Sequence, residues 1–286
     1  MNPISLDQRF AVCSWSLEPT SPEDLIMKLR ATGINRVQLA LDPIRLASDV
    51  WGGIADSLRH HGFTIVSGMF GCLGEDYSTL HNIQVTGGIV PDNTWEDNWR
   101  NAGVIAAIAQ KLGLRLVTFH AGFLPECRQD KRYSTLATRL TFLANVFQKH
   151  GIVLCLETGQ ERAIDLAGFL RNLNHPNLGV NFDPANMILY DKGDPIESLR
   201  LLSPWVRQVH IKDAIRTSIP GNWGDEVVVG SGQVNWQTFF ETLVEIGFQG
   251  DCCLEREGGR QRAKDIRTAH EFLRAIQVRD QTASCL

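Results

Sequence analysis

Short apolar segments recur along the chain, and each is followed by a stretch with helical spacing. Val, Ile, Leu, Phe and Cys dominate the apolar segments with little polar alternation, as expected for parallel strands that are buried on both faces. The pattern predicts eight strands, at Phe10–Trp15, Arg36–Leu41, Phe63–Ser67, Leu114–His120, Ile152–Glu157, Leu178–Asp183, Val206–Ile211 and Asp251–Glu255.

The segments between these strands carry start and stop signals of helices. Ser21 precedes Pro22 and two acidic residues, an order that is typical of a capped helix N-terminus. Leu25 and Leu29 then have the spacing of a helix that packs on a sheet. A glycine suited to the left-handed position that ends a helix follows five of these stretches, at Gly33, Gly62, Gly113, Gly151 and Gly247.

Eight strands that alternate with helices predict an α/β protein with one closed (β/α)8 TIM barrel, a single domain over residues 1–286. A doubly wound open sheet is the structural alternative, but it usually has a glycine-rich phosphate turn after its first strand. Residues 13–17 contain no glycine, so we favour the barrel. Residues 280–286 are expected to form a frayed tail.

Two connections, residues 68–94 and 212–235, are longer than a barrel needs. Both follow the carboxyl end of a strand, which is the face where the active sites of barrels lie. Loops of this length without structure of their own are uncommon unless they have a function. We therefore expect both connections to border a functional site, with tolerated surface insertions as the alternative.

Composition narrows the class of function. The chain is 43% hydrophobic and 21% charged with a net charge of −4, which suits a soluble enzyme and argues against nucleic acid as a partner. No apolar signal segment and no membrane-length apolar run occur, so we expect a cytoplasmic protein that does not contact a membrane. The seven cysteines include no CxxC pair and are interpreted as free thiols in a reducing compartment.

Four successive strands predicted in the second half of the chain end in, or close to, an ionisable side chain. These residues are Glu157, Asp183, His210 and Glu255. The carboxyl ends of barrel strands converge on one rim, so three carboxylates and one imidazole are expected to face a common centre. Carboxylates that crowd together repel one another, and a divalent cation removes that penalty. Four separate helix caps are the less favoured alternative, because one of the four residues is a His.

The residue types restrict the choice of ion for this predicted metal site. Oxygen-rich ligation with a single imidazole suits one Mn²⁺, Mg²⁺, Co²⁺ or catalytic Zn²⁺ ion. It does not suit a structural zinc site, which is rich in thiolates. The sequence does not distinguish among these four ions.

Several segments in a fixed order make the chain resemble the xylose-isomerase-like barrel superfamily of sugar isomerases and epimerases. This group includes ketose 3-epimerases, hydroxypyruvate isomerases, inosose-processing enzymes and endonuclease IV-type repair enzymes. The resemblance covers essentially the whole chain. It is carried by Leu156–Glu161, Asn181–Asn186, Val209–Arg216, Gly230–Trp236 and the pair Leu254 and Glu255.

The resemblance implies that Glu157, Asp183, His210 and Glu255 are the metal ligands. It also implies that Glu157 and Glu255 are the paired catalytic acid and base. The chemistry agrees, because moving a hydrogen next to a carbonyl needs one group to remove a proton and another to return it. In such a mechanism the metal stabilises the enediolate oxygen.

Further positions are expected to contact substrate. Arg216 matches the position that holds a substrate hydroxyl or carbonyl oxygen in the epimerases. Asn186 stands where many of them have His, and Asn cannot shuttle a proton, so the assignment to ketose epimerases is weakened. Gln38 likewise ends a strand where Glu is frequent. His120 follows an apolar strand and is either a substrate contact, a second metal ligand as in endonuclease IV-like members, or a structural His.

The remaining expected substrate contacts have structural alternatives. These residues are Trp15, Gln160, Lys212 and Asp213. Trp15 is alternatively packing at the barrel mouth, and Lys212 and Asp213 are alternatively a solvated pair at the rim.

The leading hypothesis is a metal-dependent isomerase or epimerase of a small carbohydrate, a ketose, an inosose or a sugar phosphate. A dehydratase that removes water from a keto-inositol with the same residues is a close alternative. An abasic-site endonuclease is less favoured, because the two long connections contain few cations. A non-catalytic sugar-binding barrel is also less favoured, because both acid/base carboxylates are present. Barrels of this kind often pair through their outer helices, so a homo-oligomer stays an open alternative.

Overall fold

Eight parallel strands close into a barrel in a computed structural model that describes residues 6–219 and 221–283. The strands pair in the order β1-β10-β7-β6-β5-β4-β3-β2 and back to β1. They are β1 Phe10–Cys13, β2 Arg36–Ala40, β3 Thr64–Met69, β4 Leu116–Phe119, β5 Val153–Glu157, β6 Leu178–Phe182, β7 Val206–Ile211 and β10 Cys252–Leu254. The predicted (β/α)8 barrel is confirmed.

Helices surround the barrel and connect its strands. They are α1 Pro22–Thr32, α2 Asp42–Leu46, α3 Ser48–Trp51, α4 Ile54–His60, α5 Leu80–Thr86, α6 Asp92–Leu112, α7 Lys131–Lys149, α8 Ala163–Leu173, α9 Pro184–Leu189, α10 Pro195–Leu202, α11 Trp236–Glu245 and α12 Arg262–Ala283. In the part of the chain that is described, no helix is both long and apolar enough to cross a membrane.

Local signals in the sequence correspond to the observed helix ends. The Ser21 hydroxyl accepts a hydrogen bond from the amide of Asp24 at 3.1 Å, and Pro22 begins α1. The five glycines that were expected to end helices all have positive φ angles, between 65° and 82°. This left-handed conformation is strained for other residues, so glycine suits each of these positions.

Some strands end earlier or later than predicted. β1 ends at Cys13, and residues 14–17 form a short 3₁₀ helix, so Trp15 lies on this turn instead of in the strand. β3 continues past the predicted end to Met69. α12 extends through Ala283, so the first residues of the expected tail are helical, and residues 284–286 lie outside the described residues.

The two long connections contain structure of their own. The first holds α5, whose N-cap Thr79 accepts a hydrogen bond from the amide of Asn82. The second holds an antiparallel pair, β8 Asp213–Ile215 and β9 Asp225–Val227, that stands outside the barrel sheet. Both connections therefore present ordered side chains at the carboxyl ends of the barrel strands.

The cysteines that the structure describes are free thiols. Four of the six, at positions 13, 155, 252 and 253, are buried in or next to barrel strands. Cys285 lies outside the described residues. These thiols act as small apolar side chains in the wall of the barrel.

Candidate metal centre and substrate cavity

The structure brings together the four residues that end successive strands. Ligand atoms of Glu157, Asp183, His210 and Glu255 all lie within 4.8 Å of one another, and the four side chains are buried. Among the described residues, His210 and Glu255 also form such a group with the thiol of Cys13. Both groups share one centre inside the barrel mouth.

The fold explains why these side chains meet. Glu157 is the last residue of β5, and its backbone pairs with Asn181 of β6. His210 lies in β7 opposite Cys253 of β10, two residues before Glu255. The carboxyl ends of these neighbouring strands reach the same rim, so their terminal side chains converge.

Asp183 divides its two carboxylate oxygens between two roles. Oδ1 accepts hydrogen bonds from the amides of Ala185 at 2.8 Å and Asn186 at 3.1 Å, which caps α9. Oδ2 is buried and has no hydrogen-bond partner. The carboxylate is thus a helix cap, and its other oxygen, which accepts no hydrogen bond, faces the cluster.

His210 is held so that one ring nitrogen faces the cluster. Its Nδ1 lies 3.4 Å from Glu157 Oε1 and 3.3 Å from Glu255 Oε2. Its Nε2 lies 2.9 Å from Gln38 Oε1 and 2.9 Å from Asn181 Nδ2. With Nδ1 bound to a metal, Nε2 carries the proton and donates to Gln38 Oε1. Such a partner on the outer nitrogen orients an imidazole and leaves the inner nitrogen to bind metal.

Buried charge explains why a cation suits this centre. Burial raises the pKa of Asp183 to about 7, and the nearby carboxylates add to this effect while Lys212 opposes it. Burial alone lowers the pKa of His210, but the charges of Glu157 and Glu255 outweigh it and hold that pKa well above its usual range. Without a cation, protons on these groups compensate the crowded carboxylates, and a divalent ion would replace them.

The hydrogen bond from His210 to Gln38 gives a testable prediction. Gln38→Leu should weaken metal affinity by roughly 10–100-fold, the usual effect of losing a partner of a ligating His. Gln38→Glu should retain the affinity, because a carboxylate accepts the same hydrogen bond. Metal titration of both variants checks this, and an unchanged affinity in Gln38→Leu would show that His210 needs no such support.

Asn186, Trp15 and His120 lie beside the two catalytic candidates. Asn186 Nδ2 donates to Glu157 Oε1 at 3.0 Å, and Trp15 Nε1 donates to Glu255 Oε1 at 2.6 Å. His120 Nε2 lies 3.6 Å from Glu157 Oε1. The three side chains also line the cavity above the cluster.

Gly159 allows the close approach of Asn186 to Glu157. Its φ is 126°, and a β-carbon at this position would lie 2.2 Å from Asn186 Cβ. Any other side chain would therefore displace α9 or the turn after β5. The Leu156–Glu161 segment is thus shaped so that the amide of Asn186 reaches the carboxylate.

Lys212 lies deeper than its expected place at the rim. It is buried, and its Nζ is 2.8 Å from Glu255 Oε2, 2.9 Å from Glu257 Oε2 and 3.5 Å from Asp183 Oδ2. Burial alone lowers the pKa of Lys212, but these carboxylates outweigh it and raise that pKa well above its ordinary value. Lys212 therefore balances charge in the cluster instead of forming a solvated pair with Asp213.

Asp213 is not brought into the cluster. Its carboxylate accepts hydrogen bonds from the amides of residues 214, 230, 232 and 234 and from the indole of Trp236. A β-carbon at Gly232 would lie 2.1 Å from its Oδ1. With its oxygens occupied in this way, Asp213 holds the segment from Gly230 to Trp236, and we leave it out of the proposed substrate contacts.

Arg216 and Gln160 also lie away from the cavity lining. The Arg216 guanidinium pairs with Asp191 and donates to the carbonyl of Gly193 at 3.3 Å. Gln160 lines a smaller neighbouring pocket that also contains Glu161 and Lys192. Neither residue is among the side chains that line the main cavity.

The main cavity has a volume of about 530 Å³ and reaches the cluster through Trp15, His120, Asn186 and Lys212, which line it. The lining residues that were not expected from the sequence include Glu75, Tyr77, Tyr190, Trp223, Glu226 and Glu257. Four of these residues belong to the two long connections. The unusual length of those connections was the feature of the sequence that pointed to additional residues at the site. Glu257 follows Glu255 by two residues and had no signal of its own.

Glu161 in the neighbouring pocket predicts a pH effect on stability. Burial raises its pKa from 4.5 to about 8, against the charge of Lys192. Because the pKa of Glu161 is higher in the folded protein than in the unfolded chain, the folded protein holds this proton more tightly. The free energy of unfolding therefore decreases as the pH rises from 4.5 through 8. Glu161→Gln stays neutral, so it should be more stable than the parent at pH 9 by roughly 1–3 kcal/mol, with little difference at pH 5.

Thermal unfolding of the parent and Glu161→Gln at several pH values tests this prediction. Glu126→Gln is the matched control, because Glu126 is exposed near the same pocket. A difference between Glu161→Gln and the parent that does not change with pH would contradict the assignment.

Comparison with known proteins identifies the family. Residues 26–276 match the family described as xylose isomerase-like TIM barrel, and the chain belongs to it. The xylose isomerase domain protein of Planctomyces limnophilus is 33% identical, with a TM-score of 0.83 over 88% of this chain and 92% of that one. A xylose isomerase-like barrel from Mycobacterium smegmatis, solved in complex with magnesium, shares the fold at 16% identity, with a TM-score of 0.73 over 96% and 98% of the two chains.

Two curated relatives are enzymes. Ketose 3-epimerase of Arthrobacter globiformis is 28% identical over 39% of this chain and 33% of its own length. The 3-dehydroshikimate dehydratase of Bacillus anthracis is 26% identical over 41% of this chain and 39% of its own length. The chain aligns with less than two thirds of the length of the curated relatives that it matches.

Proposed function

We propose that the protein is a divalent-metal-dependent isomerase or epimerase of a carbohydrate. The observation that carries this proposal is the buried cluster of Glu157, Asp183, His210 and Glu255, whose ligand atoms lie within 4.8 Å of one another. Trp15, Asn186 and Lys212, which contact its two candidate acid/base residues, line a cavity of ligand size.

The donor set fits a resident divalent ion. Asp183 Oδ2 and His210 Nδ1 are buried without hydrogen-bond partners, as expected for atoms that bind a metal. Three carboxylates and one imidazole suit Mn²⁺, Mg²⁺, Co²⁺ or catalytic Zn²⁺. When bound, such an ion supplies Lewis-acid polarisation of a substrate carbonyl. The Mycobacterium smegmatis barrel, which has the same fold, was solved with magnesium.

Glu157 and Glu255 are the two carboxylates suited to proton transfer, and both lie within 3.4 Å of His210 Nδ1. Each accepts a hydrogen bond from a different neutral side chain. Asn186 Nδ2 donates to Glu157, and Trp15 Nε1 donates to Glu255. Burial alone raises the pKa of both carboxyls, but neighbouring cations outweigh it, and both pKa values are lowered. Each residue is therefore a carboxylate that can remove a proton as a base. The glutamate that delivers a proton on the other side first takes one up from solvent, and the base then releases its own proton to solvent.

Asn186 stands where a histidine could shuttle a proton, but an asparagine has a different role there. Its Nδ2 donates to Glu157 and its Oδ1 lies 3.4 Å from Lys212 Nζ, so the amide bridges the two sides of the cluster. An amide cannot exchange protons with substrate at neutral pH. We propose that it fixes the rotamer of Glu157 and leaves the proton transfer to the two glutamates.

A dehydratase that uses the same pair is the second candidate. It is supported by the similarity to 3-dehydroshikimate dehydratase of Bacillus anthracis. One glutamate would then remove a proton next to a carbonyl, and the other would protonate the departing hydroxyl.

Incubation with candidate sugars in D₂O tests both functions. The metal-loaded protein is incubated with ketoses, inososes and their phosphates, and products are analysed by NMR and mass spectrometry. An isomerase or epimerase incorporates one solvent deuterium at carbon without loss of water. A product lighter by one water assigns the dehydratase, and binding without any exchange or product contradicts both.

A further inference from the structure

The cavity above the cluster is lined by negative charge. Asp42, Glu75, Glu226 and Glu257 all line it. A phosphate group carries roughly −1.5 to −2 charge at neutral pH and needs cations or free amides to bind it. Three of these four carboxylates pair with Arg45, Lys212 and Arg256, so the lining has no excess positive charge for such a group.

The cations near the cavity are already engaged. Lys212 lies within 3.0 Å of two carboxylates, those of Glu255 and Glu257. Arg45 pairs with Asp42, and Arg256 pairs with Glu226, and neither arginine lines the cavity. Binding a phosphate here would require breaking one of these buried or half-buried pairs.

The helix N-terminus at the cavity is engaged as well. α9 begins beside the cluster, and free amides at such a position commonly bind phosphate. Here the amides of Ala185 and Asn186 donate to Asp183 Oδ1. Among the described residues that line the cavity, the one lysine is therefore paired with carboxylates, the amides at the start of α9 are occupied, and His120 is the remaining side chain that could offer a positive charge to an anion.

Apolar and aromatic side chains form the outer wall of the same cavity. Tyr190 and Trp223 meet edge to face with ring centroids 4.7 Å apart, and Leu189 lies next to them. The amide of Gly224 donates to the carbonyl of Leu189 at 3.1 Å, which attaches the Trp223 segment to α9. This wall is positioned by the backbone and offers aromatic surface to the C–H face of a sugar ring.

The volume of the cavity exceeds what one monosaccharide fills. At about 530 Å³ it lies within the range for drug-sized ligands, roughly 300–1,000 Å³. Trp15 and Asn186, which contact the cluster, line this cavity together with Trp223 of the second long connection. A ring that reacts at the cluster leaves room for a second group against Trp223.

We infer that this site takes an uncharged glycoside or disaccharide, with the reacting ring at the cluster and a second residue packed on Trp223 and Tyr190, and that it excludes sugar phosphates. The inference rests on the proposed function for the position of the reacting ring. Beyond the proposed function, it specifies that the substrate is uncharged and larger than a monosaccharide, two properties that the cluster alone does not determine.

Equilibrium binding tests the inference without requiring turnover. The probes are D-glucose, D-fructose, their 6-phosphates, and the disaccharides maltose, cellobiose and sucrose, added to the Mg²⁺-loaded protein and followed by calorimetry and tryptophan fluorescence. We expect at least one disaccharide to bind about tenfold more tightly than either of its monosaccharides. Each 6-phosphate should bind more weakly than its parent sugar.

Variants of the aromatic wall separate the two parts of the site. Trp223→Ala should lower disaccharide affinity about tenfold and leave monosaccharide affinity unchanged, whereas Trp223→Phe should retain most of it. Trp99→Ala is the control, because Trp99 lies on α6 outside the cavity. Tighter binding of a 6-phosphate, absence of disaccharide binding, or an equal loss for both sizes of sugar in Trp223→Ala overturns the inference.

These outcomes are distinct from failure of the proposed function. If disaccharides bind as expected but no carbon-bound hydrogen exchanges, the substrate class stands and the isomerase proposal fails. If exchange occurs with sugar phosphates alone, the isomerase proposal stands and the substrate class fails.

Discussion

Glu157→Gln and Glu255→Gln should each abolish net turnover, with a loss of roughly 10²–10⁴-fold from acid/base catalysis alone. One carboxylate cannot both remove the proton and return it on the opposite side of the substrate. A single variant is still expected to exchange label into the substrate through the remaining glutamate. The face at which label enters then assigns which residue acts on which side.

Metal content must be measured alongside activity, because each substitution also removes a negative charge from the metal site. Glu241→Gln, an exposed position on α11, is the matched control and should retain full activity. A double Gln variant that keeps its metal and turns over at the parent rate would refute the mechanism.

Asp183→Ala and His210→Ala should lower metal affinity by more than the roughly 10–100-fold that follows loss of a supporting residue. Each variant loses one ligand and leaves the remaining buried carboxylates less compensated. Elemental analysis and metal titration of the purified variants measure the effect. Stoichiometric binding that is unchanged in both variants would contradict the site.

Asp183 offers a sharper comparison because it is also the cap of α9. Asp183→Asn retains a side-chain oxygen that caps the amides of Ala185 and Asn186 but removes the charge. Asp183→Ala removes both. If both variants lose metal while only Asp183→Ala loses thermal stability, the metal and capping roles of Asp183 are separate.

The barrel and the four-residue cluster could be predicted from local patterns. Strands that are buried on both faces are continuously apolar, so a charge at the end of such a strand stands out, as Glu157 does after Val153–Leu156. The parallel topology then places successive strand ends on one rim. Asp183 both caps a helix and faces the cluster. A carboxylate at a strand end can therefore be a helix cap and a candidate metal ligand at the same time.

Contacts between residues distant in the sequence could not be predicted this way. The bond between Gln38 and His210 joins β2 to β7 across the barrel interior, and nothing near either residue specifies it. Lys212 was expected at the rim, but the carboxylates of Glu255 and Glu257 hold it in the interior. Asp213 was expected to contact substrate, but backbone amides from a later segment occupy it.

The most direct test of the account is a titration of metal into chelator-treated protein, with deuterium incorporation into a bound sugar measured at each step. The account predicts no exchange in the absence of metal and a rate that rises in proportion to added ion and saturates at one equivalent per chain. Asp183→Asn should shift the titration to much higher ion concentrations. Exchange at the full rate without any divalent ion would contradict the metal-dependent mechanism.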